Sequence, residues 1–111
     1  MRRYSMEKRY KIVVYVPEAR ADALRDAMAD AGAGIIGNYT HCSFTTKGVG
    51  RFKPGPGALP AIGEVGILEE VAEDRIEVVC EERKLQDVLQ AIRAVHPYEE
   101  PATDVYLLEN L

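Results

Sequence analysis

A two-layer α+β sandwich of βαββαβ order, ferredoxin-like, is predicted by three features of this sequence. A strand-like run followed by a helical stripe occurs once in each outer third of the chain. A further strand-like segment follows each of these pairs. All 9 glycines fall between Gly32 and Gly66, so the break lies between the two βα units and leaves both intact. A doubled βα pattern with strands left over argues for helices packed on one face of an antiparallel sheet.

Each element has its own signal. Tyr10 to Val16, YKIVVYV, is rich in β-branched and aromatic residues and alternates. It sets Tyr10, Ile12, Val14 and Val16 on one face and Lys11, Val13 and Tyr15 on the other. Pro17 is expected in the first turn of the following helix, with Glu18 favouring its dipole. Leu24, Ala27, Met28 and Ala31 recur at i, i+3, i+4 and i+7, a helical stripe, and Gly32 and Gly34 supply its stop. From Tyr39, YTHCSFTT reads as the second strand. The stretch KGVGRFKPGPGALPAIGEVG is then a long excursion, of a kind that in small domains is usually functional or mobile. Val65 to Val71 reads as an extra strand on its return. Arg75 to Glu81, RIEVVCE, sets Ile76, Val78 and Cys80 against Glu77, Val79 and Glu81. Leu85, Val88, Leu89, Ile92 and Val95 form the second helical stripe. His96 precedes Pro97 and is thereby biased out of the helical region, ending the helix. Ala102 to Leu108, ATDVYLL, is the last strand.

With 111 residues, the chain is expected to hold an N-terminal extension at 1–9 and one domain at 10–111, enough to bury a core without staples. Met6 reads as an alternative start. No apolar run approaches the roughly 20 residues a membrane span needs, and the basic start MRRYSMEKRY lacks the apolar segment of a secretory signal. A net charge of −4 argues against nucleic acid as the main partner. Cys42 and Cys80 are the only cysteines. They make no disulfide framework and should stay reduced in a cytoplasmic protein.

Three stretches together carry a family signature: YKIVVYVPEARADALRDAMADAGAG, GIIGNYTHCSFTTKGVGRFKPGPGALPAIGEVG and HPYEEPATDVYLLEN. Collinear from about Tyr10 to Asn110, they resemble the insert domain of the NIF-three-like (YqfO-type) family. That domain is similar to the trimeric PII signalling proteins and to the CutA divalent-cation-tolerance proteins. The resemblance implies a PII/CutA-like fold, trimerisation through edge strands and a regulatory or binding role. Full-length members place a dinuclear metal centre in two flanking segments, and some are catalogued as GTP cyclohydrolase type 2 homologues. Those flanks are absent from this sequence, so no activity housed in them carries over and a non-enzymatic chain is expected.

Two candidate sites emerge from the residues. His41 and His96 are the only histidines. Cys42 adjoins the first, and Glu99 and Glu100 follow the second. Imidazole, thiolate and carboxylate suit a divalent transition metal such as zinc, copper or nickel, so His41, Cys42, Glu64, His96 and Glu99 form the candidate ligand set. The spacing is not that of a zinc finger, and a core cysteine or a solvated helix end would explain the same residues. In a βαββαβ sheet the second and fourth strands begin at opposite ends, which places His41 and His96 apart in one subunit. A metal bound by both would then lie between subunits. The second candidate is an anion- or nucleotide-binding loop, in which Lys47, Arg51 and Lys53 add charge while Gly48 and Gly50 expose backbone N–H groups. Its alternative is a hairpin tip kept soluble by charge. Nucleophilic catalysis is disfavoured, because neighbours such as His41 and Cys42 point to opposite faces of a strand. The expected partners are copies of the chain, with a trimer favoured, and a further protein partner is compatible with this reading. An assembly module that binds no small ligand is the plainest alternative.

Overall fold

The computed structural model describes residues 7–109. The expected extension at 1–9 and the alternative start at Met6 lie largely or wholly outside them. The elements run β1 (Arg9–Pro17), a 3-10 turn (Glu18–Arg20), α1 (Ala21–Asp30), β2 (Phe44–Phe52), β3 (Glu69–Glu81), α2 (Glu82–Val95) and β4 (Thr103–Leu108). The four strands form one sheet of order β2-β3-β1-β4, and every neighbouring pair is antiparallel. This is the predicted ferredoxin-like arrangement.

Alternation decides which face is buried. Ile12, Val14 and Val16 of β1 pair with Val78, Ile76 and Asp74 of β3. The apolar members of this set join Leu24 and Met28 of α1 and Val88 and Ile92 of α2 in one core. Leu85, Leu89 and Val95 line its margin, so both helical stripes read from the sequence face the sheet. Gly32, at φ +115, ends α1 as expected. Its N–H reaches the Ala29 carbonyl and that of Ala33 reaches the Met28 carbonyl, the double closure of a Schellman motif.

Four expectations need correction. Pro17 closes β1 and precedes the 3-10 turn, outside the helix. The second strand does not start at Tyr39. Tyr39 instead pairs with Ile36 in a small isolated turn, and β2 begins at Phe44. His41 adopts φ 59, a left-handed value that no strand accommodates and that histidine tolerates better than most residues. The supposed extra strand at Val65 to Val71 is the approach to a single 13-residue β3 that starts at Glu69. Finally, Lys47 to Phe52 belong to β2 and are not a loop tip. Register runs from Phe44 opposite Glu77 to Phe52 opposite Glu69, so β2 and β3 form a ribbon that outruns β1. Pairing along that ribbon overrides the weak strand propensity of Gly48 and Gly50. Among the described residues no helix is long and apolar enough to cross a membrane.

Candidate functional site

The most developed site lies where this ribbon meets the connection between α2 and β4. His96 caps α2 with its own N–H on the Ile92 carbonyl. Its ring Nε2 is 2.7 Å from the Tyr15 carbonyl oxygen, and its Nδ1 is 3.1 Å from the Tyr98 backbone nitrogen. Nε2 is therefore the donor and Nδ1 the acceptor of a neutral imidazole. The Tyr15 N–H in turn donates to the Ala102 carbonyl at 3.1 Å, so the connection grips β1 from both sides of one residue.

That grip swings Tyr98 over the sheet face opposite the helices. Its hydroxyl donates to Glu73 Oε2 at 2.9 Å, and its ring meets Phe52 edge-on at 5.7 Å and 61°. Glu99 Oε1 accepts the Leu59 N–H at 2.9 Å, tying the excursion to the same connection. Between them lies a pocket of about 400 Å³ whose walls include Tyr15, Phe52, Pro54, Ile62, Glu73 and Tyr98. Glu73 is only 8% exposed. Burial and the Glu73 carboxylate both push the Tyr98 hydroxyl pKa up, so Tyr98 stays a donor at any physiological pH.

Burial lowers the pKa of His96, against the opposing pull of the Tyr15 carbonyl and Glu73. Protonation would place a hydrogen on Nδ1, where Tyr98 N–H already donates. A depressed histidine has its full stabilising effect above the unfolded value of about 6.5. That contribution is lost as pH falls toward and through the lower folded value. Urea unfolding should thus show the wild type losing stability below about pH 6.5 more steeply than His96→Gln. Parallel pH profiles would refute the assignment.

The proposed metal ligands do not gather. Among the described residues no three His, Cys, Asp or Glu side chains are placed to hold an ion. Both ring nitrogens of His96 are occupied. His41 is exposed, with Nδ1 3.0 Å from Thr40 Oγ1. Cys42 Sγ lies 3.8 Å from the Thr40 carbonyl, so neither side chain activates the other. The Gly34 N–H binds the Val79 carbonyl and the Cys42 N–H binds the Gly34 carbonyl, which sets this loop beside Val79. His96 sits at Tyr15, opposite Arg75. Four β residues separate those levels, roughly 13 Å. Glu64 is exposed in a turn closed by its own carbonyl and Ile67 N–H. Burial, with the Glu81 carboxylate adding to it, pushes the Cys80 thiol up to about 11, which makes it an inert core residue.

The basic stretch is largely spoken for. Lys47 Nζ stands 3.0 Å from Asp74 Oδ1 and 3.2 Å from Glu18, and hydrogen bonds to these acids raise its pKa. Arg51 pairs with Glu70 at 3.4 Å. Of Lys47, Arg51 and Lys53, the last has no ion pair among the described residues, and it lines the pocket. Gly48 and Gly50 lie on β2, opposite Glu73 and Val71 of β3, and not in a loop. Glu73, Asp74, Phe52 and Tyr98 are the functional positions that sequence reasoning missed.

No family model matches the chain. Proteins named GTP cyclohydrolase 1 type 2 homolog are similar to it. That of Mycobacterium tuberculosis is 54% identical over 98 residues, 88% of this chain and 26% of the relative. That of Bacillus subtilis is 48% identical over 100 residues, 90% of this chain and 27% of the relative. The chain thus spans about a quarter of the length of the curated relatives it matches. Among solved structures, a Bacillus cereus protein related to NIF3 superposes with TM-score 0.82 at 43% identity, over 98% of this chain and 27% of that one. CutA of Archaeoglobus fulgidus superposes with TM-score 0.66 at 16% identity, over 91% of this chain and 84% of that one. The GlnK–ATP complex of B. subtilis gives TM-score 0.62 at 12% identity, over 94% and 85%. At such identities the last two establish the fold alone.

Proposed function

Because the chain belongs to the NIF-three-like family, as the counterpart of about a quarter of its relatives' length, we propose that it is a non-enzymatic regulatory binding module working as a homotrimer. The observation that carries this reading is the state of the sheet edges. β2 and β4 each have one neighbour in the sheet, and each carries large apolar side chains exposed to solvent. Tyr106 and Leu107 of β4 are 53% and 59% exposed, and Phe44 of β2 is 67% exposed. An open edge with exposed apolar side chains is a template for strand pairing with another chain. A closed ring of copies uses both edges, in keeping with the CutA- and PII-like fold. Response to a divalent transition metal enters this reading through His41, whose Nε2 has no partner among the described residues. With no cluster of donors around it among the described residues, an ion there takes its other ligands from a neighbouring copy.

Native mass spectrometry tests both parts. A trimer of about 37 kDa is expected, three times the 12.3 kDa chain. Added Zn²⁺ should be taken up by the wild type and lost in His41→Ala. A monomer at micromolar concentration would overturn the assembly. Equal uptake by both proteins would remove His41 from the metal reading.

A further inference from the structure

We propose that the pocket between Glu73 and Tyr98 binds the ammonium group of an alkylamine, as found on polyamines and on lysine side chains. The inference deepens the regulatory reading by naming the chemistry of its ligand.

The argument starts at Glu73. Buried carboxylates are ordinarily neutralised by a cation or hydrogen-bonded on both oxygens. Glu73 accepts one hydrogen bond, from Tyr98 to Oε2. Among the described residues no lysine, arginine or histidine nitrogen lies within ion-pair distance of it. The nearest candidate by register, Arg75, is turned elsewhere. Its guanidinium lies over the Tyr15 ring at 5.7 Å, and its Nε is 3.9 Å from Glu77. The carboxylate therefore faces the pocket with one oxygen uncommitted.

The opposite strand is cut away at this point. A Cβ on Gly50 would collide with Glu73 Oε1. No positive φ is recorded for Gly50, so backbone conformation does not demand glycine there. What demands it is the space the carboxylate occupies. The result is a buried anion in a pocket walled by Phe52, Tyr98 and Tyr15. Ring faces attract a cation through their quadrupole, by about 0.5–2 kcal/mol depending on desolvation. A carboxylate beside aromatic rings is thus the chemistry that selects an organic ammonium ion. Apolar Pro54, Ala61 and Ile62 on the same pocket suit the alkyl chain that carries it.

Charge at the rim agrees. Glu99 and Glu100 line the pocket with Arg51 and Lys53, but Arg51 is already paired with Glu70. An anionic ligand would meet Glu73 at the floor with Lys53 alone to offset it. An ammonium ion meets the reverse balance.

Isothermal titration of the whole chain with putrescine, spermidine, Nα-acetyl-lysine amide and ATP tests the inference. At least one amine should bind saturably, and the free polyamines against the lysine derivative identify the source. Glu73→Gln keeps an acceptor for Tyr98 and should weaken that amine at least tenfold. Phe52→Leu should weaken it several-fold. Lack of amine binding, amine affinity unchanged in Glu73→Gln, or binding of ATP in preference to every amine would each overturn it. Native mass spectra of the same samples keep the two readings separate. A trimer that binds no amine sinks only this inference, and a monomer that binds one sinks only the assembly.

Discussion

Asp74→Ala is expected to cost about 3 kcal/mol of folding stability, the lower end of the range for breaking a buried ion pair. Asp74 is 1% exposed and joins three elements. Arg25 Nη2 from α1 lies 3.0 Å from Oδ2, and Lys47 Nζ from β2 lies 3.0 Å from Oδ1. Lys47 is aligned as a hydrogen bond only with Oδ2, at 3.3 Å, so Oδ1 has its charge nearby without a well-directed proton. Arg25 also reaches Asp22 at 2.7 Å and Thr45 at 3.2 Å. Removing the carboxylate leaves two cations at the junction of helix and ribbon with only peripheral acids to meet them. Those acids, Asp22 and Glu18, are why the lower end of the range applies. Against a total of roughly 5–15 kcal/mol for a domain, the loss should be plain in a urea melt.

Two companions locate the effect. Lys47→Met leaves the Arg25 contact intact, and Lys47 is 68% exposed, so it should cost much less than Asp74→Ala. Arg51→Ala breaks a pair in which both side chains are over 60% exposed and should fall below about 0.5 kcal/mol. If Asp74→Ala melted with Arg51→Ala, the network would be ornamental. The same ranking separates structural from binding roles within the basic stretch. Lys47 is a strut that ties β2 to β3 and the 3-10 turn, whereas Lys53 is exposed at the pocket rim.

Much of this fold was legible because its signals are local. The alternation of Ile76, Val78 and Cys80, extended backward in steps of two, puts Asp74 on the core face. An acid on a core face calls for a cation, so this network was half visible in the sequence. The strand ends were not visible. Gly48 and Gly50 lower strand propensity, and only pairing with the long β3 makes that segment a strand. His41 looked like a strand residue because Tyr39 to Thr46 has strand composition, yet its φ is left-handed, beside the bond that ties Cys42 to Gly34. The Glu73–Tyr98 bond joins residues 25 apart in sequence, and no spacing rule encodes it. HPYEEP was readable as a helix stop. Its tyrosine as a partner of a buried acid was not.

Gly34→Ala is expected to destabilise the protein by roughly 2–5 kcal/mol. About 1–2 kcal/mol comes from forcing a side-chain-bearing residue into left-handed backbone, and about 1–3 from overpacking. Gly34 sits at φ +79, and a Cβ there would lie 2.6 Å from the Cys42 carbonyl oxygen and 2.9 Å from its nitrogen. Those are backbone atoms, which cannot swing aside as a side-chain tip can. The same two residues are joined by a 2.9 Å hydrogen bond from Cys42 N–H to the Gly34 carbonyl, and Gly34 N–H is held by Val79 at 2.8 Å. Opening that crossing detaches the loop bearing His41 and Cys42 from β3. Gly37→Ala is the matched control: its φ is +58, but nothing lies within 4 Å of the added Cβ, so only the backbone part should appear. Hydrogen exchange at the Cys42 amide should speed up in Gly34→Ala and stay slow in Gly37→Ala. Equal melts for the two variants would mean that the close approach to Cys42 adds nothing to the cost of the left-handed backbone. In that case the Cys42 amide bond, and with it the placement of His41, would survive the substitution.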